Sequence, residues 1–349
     1  MIETLTNTII PFLIILTILV FVHELGHYLA AIKNKVKVEV FSIGFGKELF
    51  GYTDKSGTRW KFSLVPLGGY VKMHGDADPS SSKKDKSSKI DQNVSFHNKT
   101  ISQRSTILFA GPAANFIFSF FVLVFINCYF GFSSTKPIIS SVESGSPAEK
   151  VGLKEGDIIL EANNKKILDF NSLKDVILKN DSDIITILYN RDGKLDTLDI
   201  SPISNKIGIK GVVEVQKLNI FDSIVKSASQ IYFFIKITLV GIYEMISGSR
   251  GTEDLGGPIR IAELSGDFWS KGLQSTLWFM MIISLNLGLI NLFPIPMLDG
   301  GHLLLNFIEY VKGSPLKQKY LEIIHSVGLF LLLSLMIFAT YNDVLRIIR

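Results

Sequence analysis

Apolar residues in this chain are gathered into long runs rather than scattered. Four runs, at roughly 8–32, 106–130, 274–296 and 323–342, reach the length of about 20 residues that a helix needs to cross a hydrocarbon core of about 30 Å. Between the first two runs, Glu39 to Met73 alternates apolar and polar positions and carries Gly44, Gly46, Gly51 and Gly57, a pattern of short strands and turns. Ser80 to Asn93 is rich in Ser, Lys and Asp with little to bury, which predicts a flexible linker. Residues 135–204 read as a β-rich unit, with strand-like runs at Asp157–Glu161, Ile184–Tyr189 and Leu195–Ile200 and a helix at Ser172–Lys179. Residues 221–247 are apolar but studded with Asp222, Lys226, Lys236 and Glu244, so a fifth span or a helix lying in the interface both fit.

The pattern predicts a polytopic α-helical membrane protein with four transmembrane helices, a membrane-associated β-hairpin region and one inserted α+β domain. Its expected parts are an N-terminal membrane core at 1–134 and the inserted domain at 135–204. A linker with an interfacial amphipathic helix follows at 205–273, and a C-terminal membrane core at 274–349.

Composition sharpens this picture in three ways. Hydrophobic residues make up 47% of the chain, which argues against a purely soluble protein. The net charge of +4 is small and no Arg-rich patch is interleaved with aromatics, so no nucleic-acid partner is expected. Cys128 is the only cysteine, which excludes an intramolecular disulfide; late in an apolar run, it reads as a packing residue. The residues before Ile9 carry Glu3 and no Lys or Arg, and the apolar run that follows has no clear cleavage site. It reads as a retained membrane helix, not a secretory signal.

Charge also sets an orientation. Residues 32–103 hold thirteen Lys and Arg against seven acidic residues, whereas the first seven residues hold no Lys or Arg. The excess places 32–103 in the cytoplasm, with the N-terminus and 135–273 outside.

The chemistry sits in the first run. His23-Glu24-Leu25-Gly26-His27 follows the His-Glu-x-x-His pattern. On a helix, positions i and i+4 point the same way, so both imidazoles can reach one zinc while the intervening Glu reaches a water beside it. Alone, so short a motif is weak. Its setting matters more: three ionisable groups occupy five positions of an otherwise apolar run, and ionisable residues inside a membrane are expensive and usually functional. The bland alternative is a helix end already at the interface.

Catalytic zinc takes three protein ligands, so a third must come from elsewhere. Ala30 and Lys33 exclude a continuation of the motif with a third His six residues on. The best remaining candidate is Asp299, in the segment Asn291 to His302, where Pro294 and Pro296 break the third run and let a carboxylate turn into a cavity. His302 is the alternative ligand. If 221–247 were a full span, Asp299 would fall on the wrong side of the membrane, so the metal reading requires that segment to lie along or dip into the bilayer. For His74, His97 and His325, surface or packing roles are expected.

Several separated motifs now bear on one family: Val22–His27, Gly68-Gly-Tyr-Val-Lys-Met73, Ala110-Gly-Pro-Ala-Ala-Asn115, Gly256-Gly-Pro258, and Asn286 through His302. Together they resemble the site-2 protease family of intramembrane zinc metalloproteases, and within it the bacterial regulator-of-sigma-E protease branch. The likeness covers nearly the whole chain. It implies a zinc endopeptidase that cuts within or near transmembrane segments. His23, His27 and Asp299 would hold Zn2+, Glu24 would be the catalytic base, and Asn286 and Asn291 would contact the substrate backbone. It further implies the bacterial inner membrane, with the zinc site towards the cytoplasm. Expected substrates are single-pass proteins already trimmed outside, such as an anti-sigma factor or a signal-peptide remnant.

The stretch Gly145-Ser-Pro-Ala-Glu-Lys-Val-Gly-Leu-Lys-Glu-Gly-Asp-Ile-Ile159 is similar to a PDZ domain, which would be periplasmic. Many members of that branch carry two such domains in tandem; this chain has room for one. It either takes a peptide, such as a C-terminus, as an added strand or acts only as a steric filter. A helical substrate must be drawn out before it can be cut, and an edge strand through Gly69, Tyr70 and Val71 could hold it extended; a plain structural strand is the simpler role. Asn115 reads first as a packing hydrogen bond. The competing functions are a PDZ-bearing membrane scaffold, against which Glu24 argues, and a metal-binding transporter, for which no internal repeat is found.

Overall fold

The computed structural model describes residues 5–75, 93–180, 184–203, 205–249, 251 and 256–348. The expected linker at 80–93 lies outside the described residues except for Asn93. The chain divides into two compact units, one of Met1–Ile126 with Ser223–Arg349 and one of Asn127–Asp222.

In the first unit, a π-helical turn at Leu5–Ile9 leads into α1, Ile10–Lys33. Pro11 opens the helix, where its missing N–H costs nothing. Asn34 closes it by donating its side-chain amide to the Ala30 carbonyl at 2.9 Å, and Lys35 turns the chain with φ 56°. Strands β1, Val38–Thr53, and β2, Arg59–Met73, follow as an antiparallel pair.

Each of these strands is bent. Gly44 and Gly46 take φ of 90° and 84° in β1, and Gly68 takes 147° in β2, conformations that only glycine adopts cheaply. The bends fold the hairpin on itself, so that Val40–Ile43 pairs with Arg59–Phe62 on one side and Gly69–Lys72 on the other. Segment 69–73 thereby becomes an edge. At the hairpin turn, Asp54 accepts from Ser56, Thr58 and the Trp60 indole, and from Tyr28 of α1 at 3.3 Å. The Ser56 hydroxyl and then the Trp60 N–H hold its carboxyl well below the usual carboxylate range.

Helix α2, Ile101–Tyr129, contains Pro112. After the second unit come α5, Ile220–Ile246, α6, Pro258–Ser270, α7, Leu273–Asn291, α8, Asp299–Lys312, and α9, Gln318–Ile348. The third apolar run was expected to be spanned to residue 296; the helix stops at Asn291, because Pro294 and Pro296 cannot continue it. Two clusters hold the unit together. One joins Tyr28, Ala31 and Ile107 to the hairpin residues Phe41 and Met73; the other joins Ile15 and Leu19 to Phe279 and Met280. Asp343 of α9 accepts from the backbone N–H groups of Gly257, Ile259 and Arg260, each at 3.0 Å, and so clamps the start of α6.

Among the described residues, five helices are long and apolar enough to cross a membrane: Thr6–Lys33, Ile101–Tyr129, Ile220–Ile246, Leu273–Asn291 and Lys319–Ile348. None of the most apolar window of α5 is buried, and in α9 only 6% is. Their apolar faces therefore demand a nonpolar surrounding.

The second unit is built on a six-stranded antiparallel sheet. Its strands are β3 Phe132–Val142, β4 Ile158–Ala162, β5 Lys165–Lys166, β6 Ile185–Arg191, β7 Lys194–Ile200 and β8 Ile209–Gln216. The order is β7-β6-β4-β3-β8, with β5 paired to β4. Burial alternates along β6, as one buried face requires. Ile139, Ile159, Ile185, Ile187 and Ile200 form its core with Leu173 of the helix Phe170–Leu178 (α4, after the short α3 at Pro147–Lys150). Asp169 and Ser172 cap that helix reciprocally. Strands β3 and β8 carry the unit beyond the expected 135–204.

Candidate metal centre

Side chains from two helices, α1 and α8, converge towards the C-terminal end of α1. His23 and His27 lie one turn apart on α1, and their Nε2 atoms are 3.2 Å from each other. Asp299, the first residue of α8, places Oδ2 3.3 Å from His23 Nε2 and Oδ1 3.4 Å from His27 Nε2. Among the described residues this is the one group of three or more His, Cys, Asp or Glu side chains whose ligand atoms converge.

The spacing tests the fit to a metal. Ligands about 2.0–2.1 Å from zinc in a tetrahedron lie about 3.3–3.4 Å apart. The His–His edge of 3.2 Å is close to that spacing, and each imidazole stands at a similar distance from one oxygen of the Asp299 carboxylate, 3.3 Å to Oδ2 and 3.4 Å to Oδ1; the donor set of two imidazoles and a carboxylate suits zinc.

The local sequence explains how Asp299 arrives there. The chain after α7 turns tightly through Met297, with φ 79°, before α8 begins. Side chains at Gly300 or Gly301 would overlap the backbones of Leu292 and Ile295, so only Asp-Gly-Gly can seat the first turn of α8 against this loop. His302, one turn further on, packs its ring 5.4 Å from that of His325 and is not among the converging ligand atoms. His74 bonds Glu39 at 2.8 Å, and His97 lies edge-on to Phe96.

The imidazoles are oriented from α2. His27 Nδ1 lies 2.9 Å from the Ile107 carbonyl, which can only accept, so Nδ1 carries the proton and Nε2 is free to ligate. His23 Nδ1 lies 3.1 Å from the amide of Asn115. Helices α1 and α2 can approach this closely because of glycines. A Cβ at Gly111 would stand 2.6 Å from His27 Cε1 and 2.8 Å from Cδ2, and one at Gly26 would meet the Ala110 backbone. The run Ala110–Asn115 signals close packing in the sequence, but nothing there says that Gly111 is the floor under His27. That role went unseen, as did Ile107.

Glu24 is buried beside the edge strand, and the Val71 backbone N–H reaches its carboxylate. Gly69 lies against Val20 and Glu24, where a Cβ would be 3.1 Å from Glu24 Cγ. Tyr70 is buried, its ring stacked with that of Phe45 and with Lys61 over it. Asn291 brings its amide 3.5 Å from His23 Nε2. Asn286 is elsewhere engaged: its Oδ1 accepts from Thr238 of α5 at 3.3 Å.

A model of peptidase family M50 matches residues 11–335. A protein of Rickettsia conorii named as a zinc metalloprotease is 38% identical, with 97% of this chain and 98% of the relative covered. Similarly named proteins of Agrobacterium fabrum and Campylobacter jejuni are 35% and 37% identical. These alignments cover 99% and 96% of this chain and 97% and 92% of the relatives.

Proposed function

The chain belongs to peptidase family M50, the site-2 protease family, as an integral-membrane zinc metalloprotease, and on that footing we propose that it hydrolyses peptide bonds within or near transmembrane segments of other membrane proteins. One observation carries the proposal: two of the three converging ligands sit on α1, the most apolar of the long helices, beside a strand edge that no other strand covers among the described residues. His23, His27 and Asp299 hold the zinc. Bound there, zinc supplies a Lewis acid that polarises the scissile carbonyl and acidifies water.

The remaining work falls to side chains and backbone. Glu24 accepts the proton of the attacking water and returns it to the leaving amine. The Asn291 amide donates to the carbonyl oxygen as negative charge develops on it. Segment Gly69–Val71 has Val38–Ile43 as its only strand partner among the described residues, so its outer edge can pair with a substrate drawn into extended form. The lack of a side chain at Gly69 lets that substrate backbone approach Glu24. Asn286 is a substrate contact only after Thr238 releases it.

Topology supports four crossings, by α1, α2, α7 and α9. The C-terminal ends of α1 and α7 share a side, since Asp299 meets His23, and α2 runs back between them. The chain from α2 to α7 therefore crosses an even number of times. A single passage of α5 would break that parity, so α5 lies along or dips into the bilayer. The lysine excess of 32–103 puts the site towards the cytoplasm of an inner membrane. The unit at Asn127–Asp222 is then a periplasmic PDZ-like module whose β8, paired only with β3 among the described residues, offers an edge to a peptide. Pre-trimmed single-pass proteins, such as an anti-sigma factor or a signal-peptide remnant, are the substrates this arrangement fits.

The test compares membrane proteomes of cells carrying the wild type or Glu24→Gln. Single-pass fragments should accumulate with the variant, while the purified variant keeps its zinc. Unchanged fragment levels would refute the proposal.

A further inference from the structure

Asn115 is completely buried on α2, yet its side-chain bonding as placed is incomplete. Its Nδ2 faces His23 Nδ1 at 3.1 Å, while its Oδ1 is buried without a partner. Oxygen and nitrogen of an amide differ little in shape, and a half-turn of the group exchanges them. The chemistry of His23 decides which way it stands.

His23 presents Nε2 to the other two ligands, at 3.2 Å and 3.3 Å. An imidazole that ligates through Nε2 carries its proton on Nδ1, and Nδ1 is then a donor in need of an acceptor. Nδ2 cannot accept. Turned over, the amide brings Oδ1 to the Nδ1–H and gives that oxygen the partner it lacks.

We propose that Asn115 is a positioning residue for the metal centre: its side-chain oxygen accepts from His23 Nδ1–H, fixing the tautomer and the plane of the ring. The role mirrors that of the Ile107 carbonyl towards His27, so that one helix orients both histidines. The backbone holds the amide in place. The Asn115 carbonyl accepts from Ser119 at 2.8 Å and from Ser284 of α7 at 3.1 Å, tying this point of α2 to the helix that leads to Asp299. An amide serves where a carboxylate would add a charge at membrane depth. The inference rests on the reading of His23, His27 and Asp299 as zinc ligands.

The test measures zinc affinity by chelator competition on the purified full-length protein. Asn115→Leu keeps the volume and removes the acceptor; zinc binding should weaken about 10–100-fold, the usual loss when an outer partner of a ligating histidine is removed. Asn115→Asp restores an acceptor and should recover most of that affinity. Gly251→Ala, whose added carbon meets nothing within 4 Å among the described residues, should leave zinc affinity at the wild-type level. Wild-type affinity in Asn115→Leu, or no recovery in Asn115→Asp, overturns the proposal. Ring-nitrogen NMR of the histidine-labelled, zinc-loaded wild type tests it without any variant: His23 should show a protonated, hydrogen-bonded Nδ1, and an unprotonated Nδ1 overturns it. Absence of stoichiometric zinc from the wild type would instead refute the metal site itself.

Discussion

Replacing Gly111 by alanine sets two effects of opposite sign against each other. Glycine in a helix interior is about 1 kcal/mol worse than alanine, so propensity alone favours the variant. Packing opposes it. The new Cβ would lie 2.6 Å from His27 Cε1 and 2.8 Å from Cδ2, with Nε2 nearer still. Carbon atoms rest at about 3.5–4.0 Å, so the ring or the helix must yield by roughly 1 Å. The obstacle is a ring fixed by its bond to Ile107 at 2.9 Å, not the free end of a flexible chain. Overpacking of this kind costs about 1–3 kcal/mol, which cancels or exceeds the gain in propensity.

The effect on the metal is larger than the effect on the fold. Zinc–ligand distances hold to about 0.2 Å, so a displacement near 1 Å removes His27 from the coordination sphere. Gly111→Ala should therefore lose zinc affinity at least 100-fold, beyond the roughly 10–100-fold typical of outer-partner changes. The assay is chelator competition with metal analysis, run beside a thermal melt to show that the protein stays folded. Gly251→Ala is the control, since nothing among the described residues lies within 4 Å of its added carbon. A folded Gly111→Ala protein with wild-type zinc affinity would show that the ring is not confined as argued.

Three further outcomes are expected. Asp299→Ala should lose zinc while His302→Ala keeps it; the reverse, read by metal content, would assign the third ligand to the wrong residue. Asp343→Ala strands three backbone donors at the start of α6, each lost bond worth about 0.5–1.5 kcal/mol, so the melting temperature read from Trp269 fluorescence should fall by several degrees. In the second unit, burial pushes the Asp157 carboxyl up, but Arg191 at 2.6 and 2.7 Å and the Lys154 N–H at 2.8 Å outweigh it and hold its pKa below the ordinary value. That stabilisation is complete above about pH 3.9, the unfolded value, and is lost as pH falls through the lower folded one. Hydrogen exchange across β4 and β6 in the intact protein, corrected for intrinsic rates, should accelerate there in the wild type. Asp157→Asn should lack this acid limb, and an identical limb in both proteins would exclude Asp157 as its source.

Much of this protein is written in local periodicity. Run lengths locate α1, α2, α7 and α9 in the sequence, and the strand runs of the second unit fall within one or two residues of β4, β6 and β7. The i, i+4 spacing of His23 and His27 puts both rings on one helix face, because 3.6 residues per turn is a property of the backbone itself. Other features depend on contacts between distant segments. No local rule separates Asp299 from His302, which stand one turn apart. The choice belongs to the loop at Leu292–Pro296, against which only glycines can seat the start of α8. The folding back of the hairpin, the engagement of Asn286 by Thr238, and the placement of Ile107 and Asn115 behind the histidines are likewise invisible in any window of sequence. Covalent geometry sets which side chains share a face of one helix; where that face meets another is set by how closely the backbones can approach, and Gly26, Gly111 and Gly300 fix that approach only once the helices are packed.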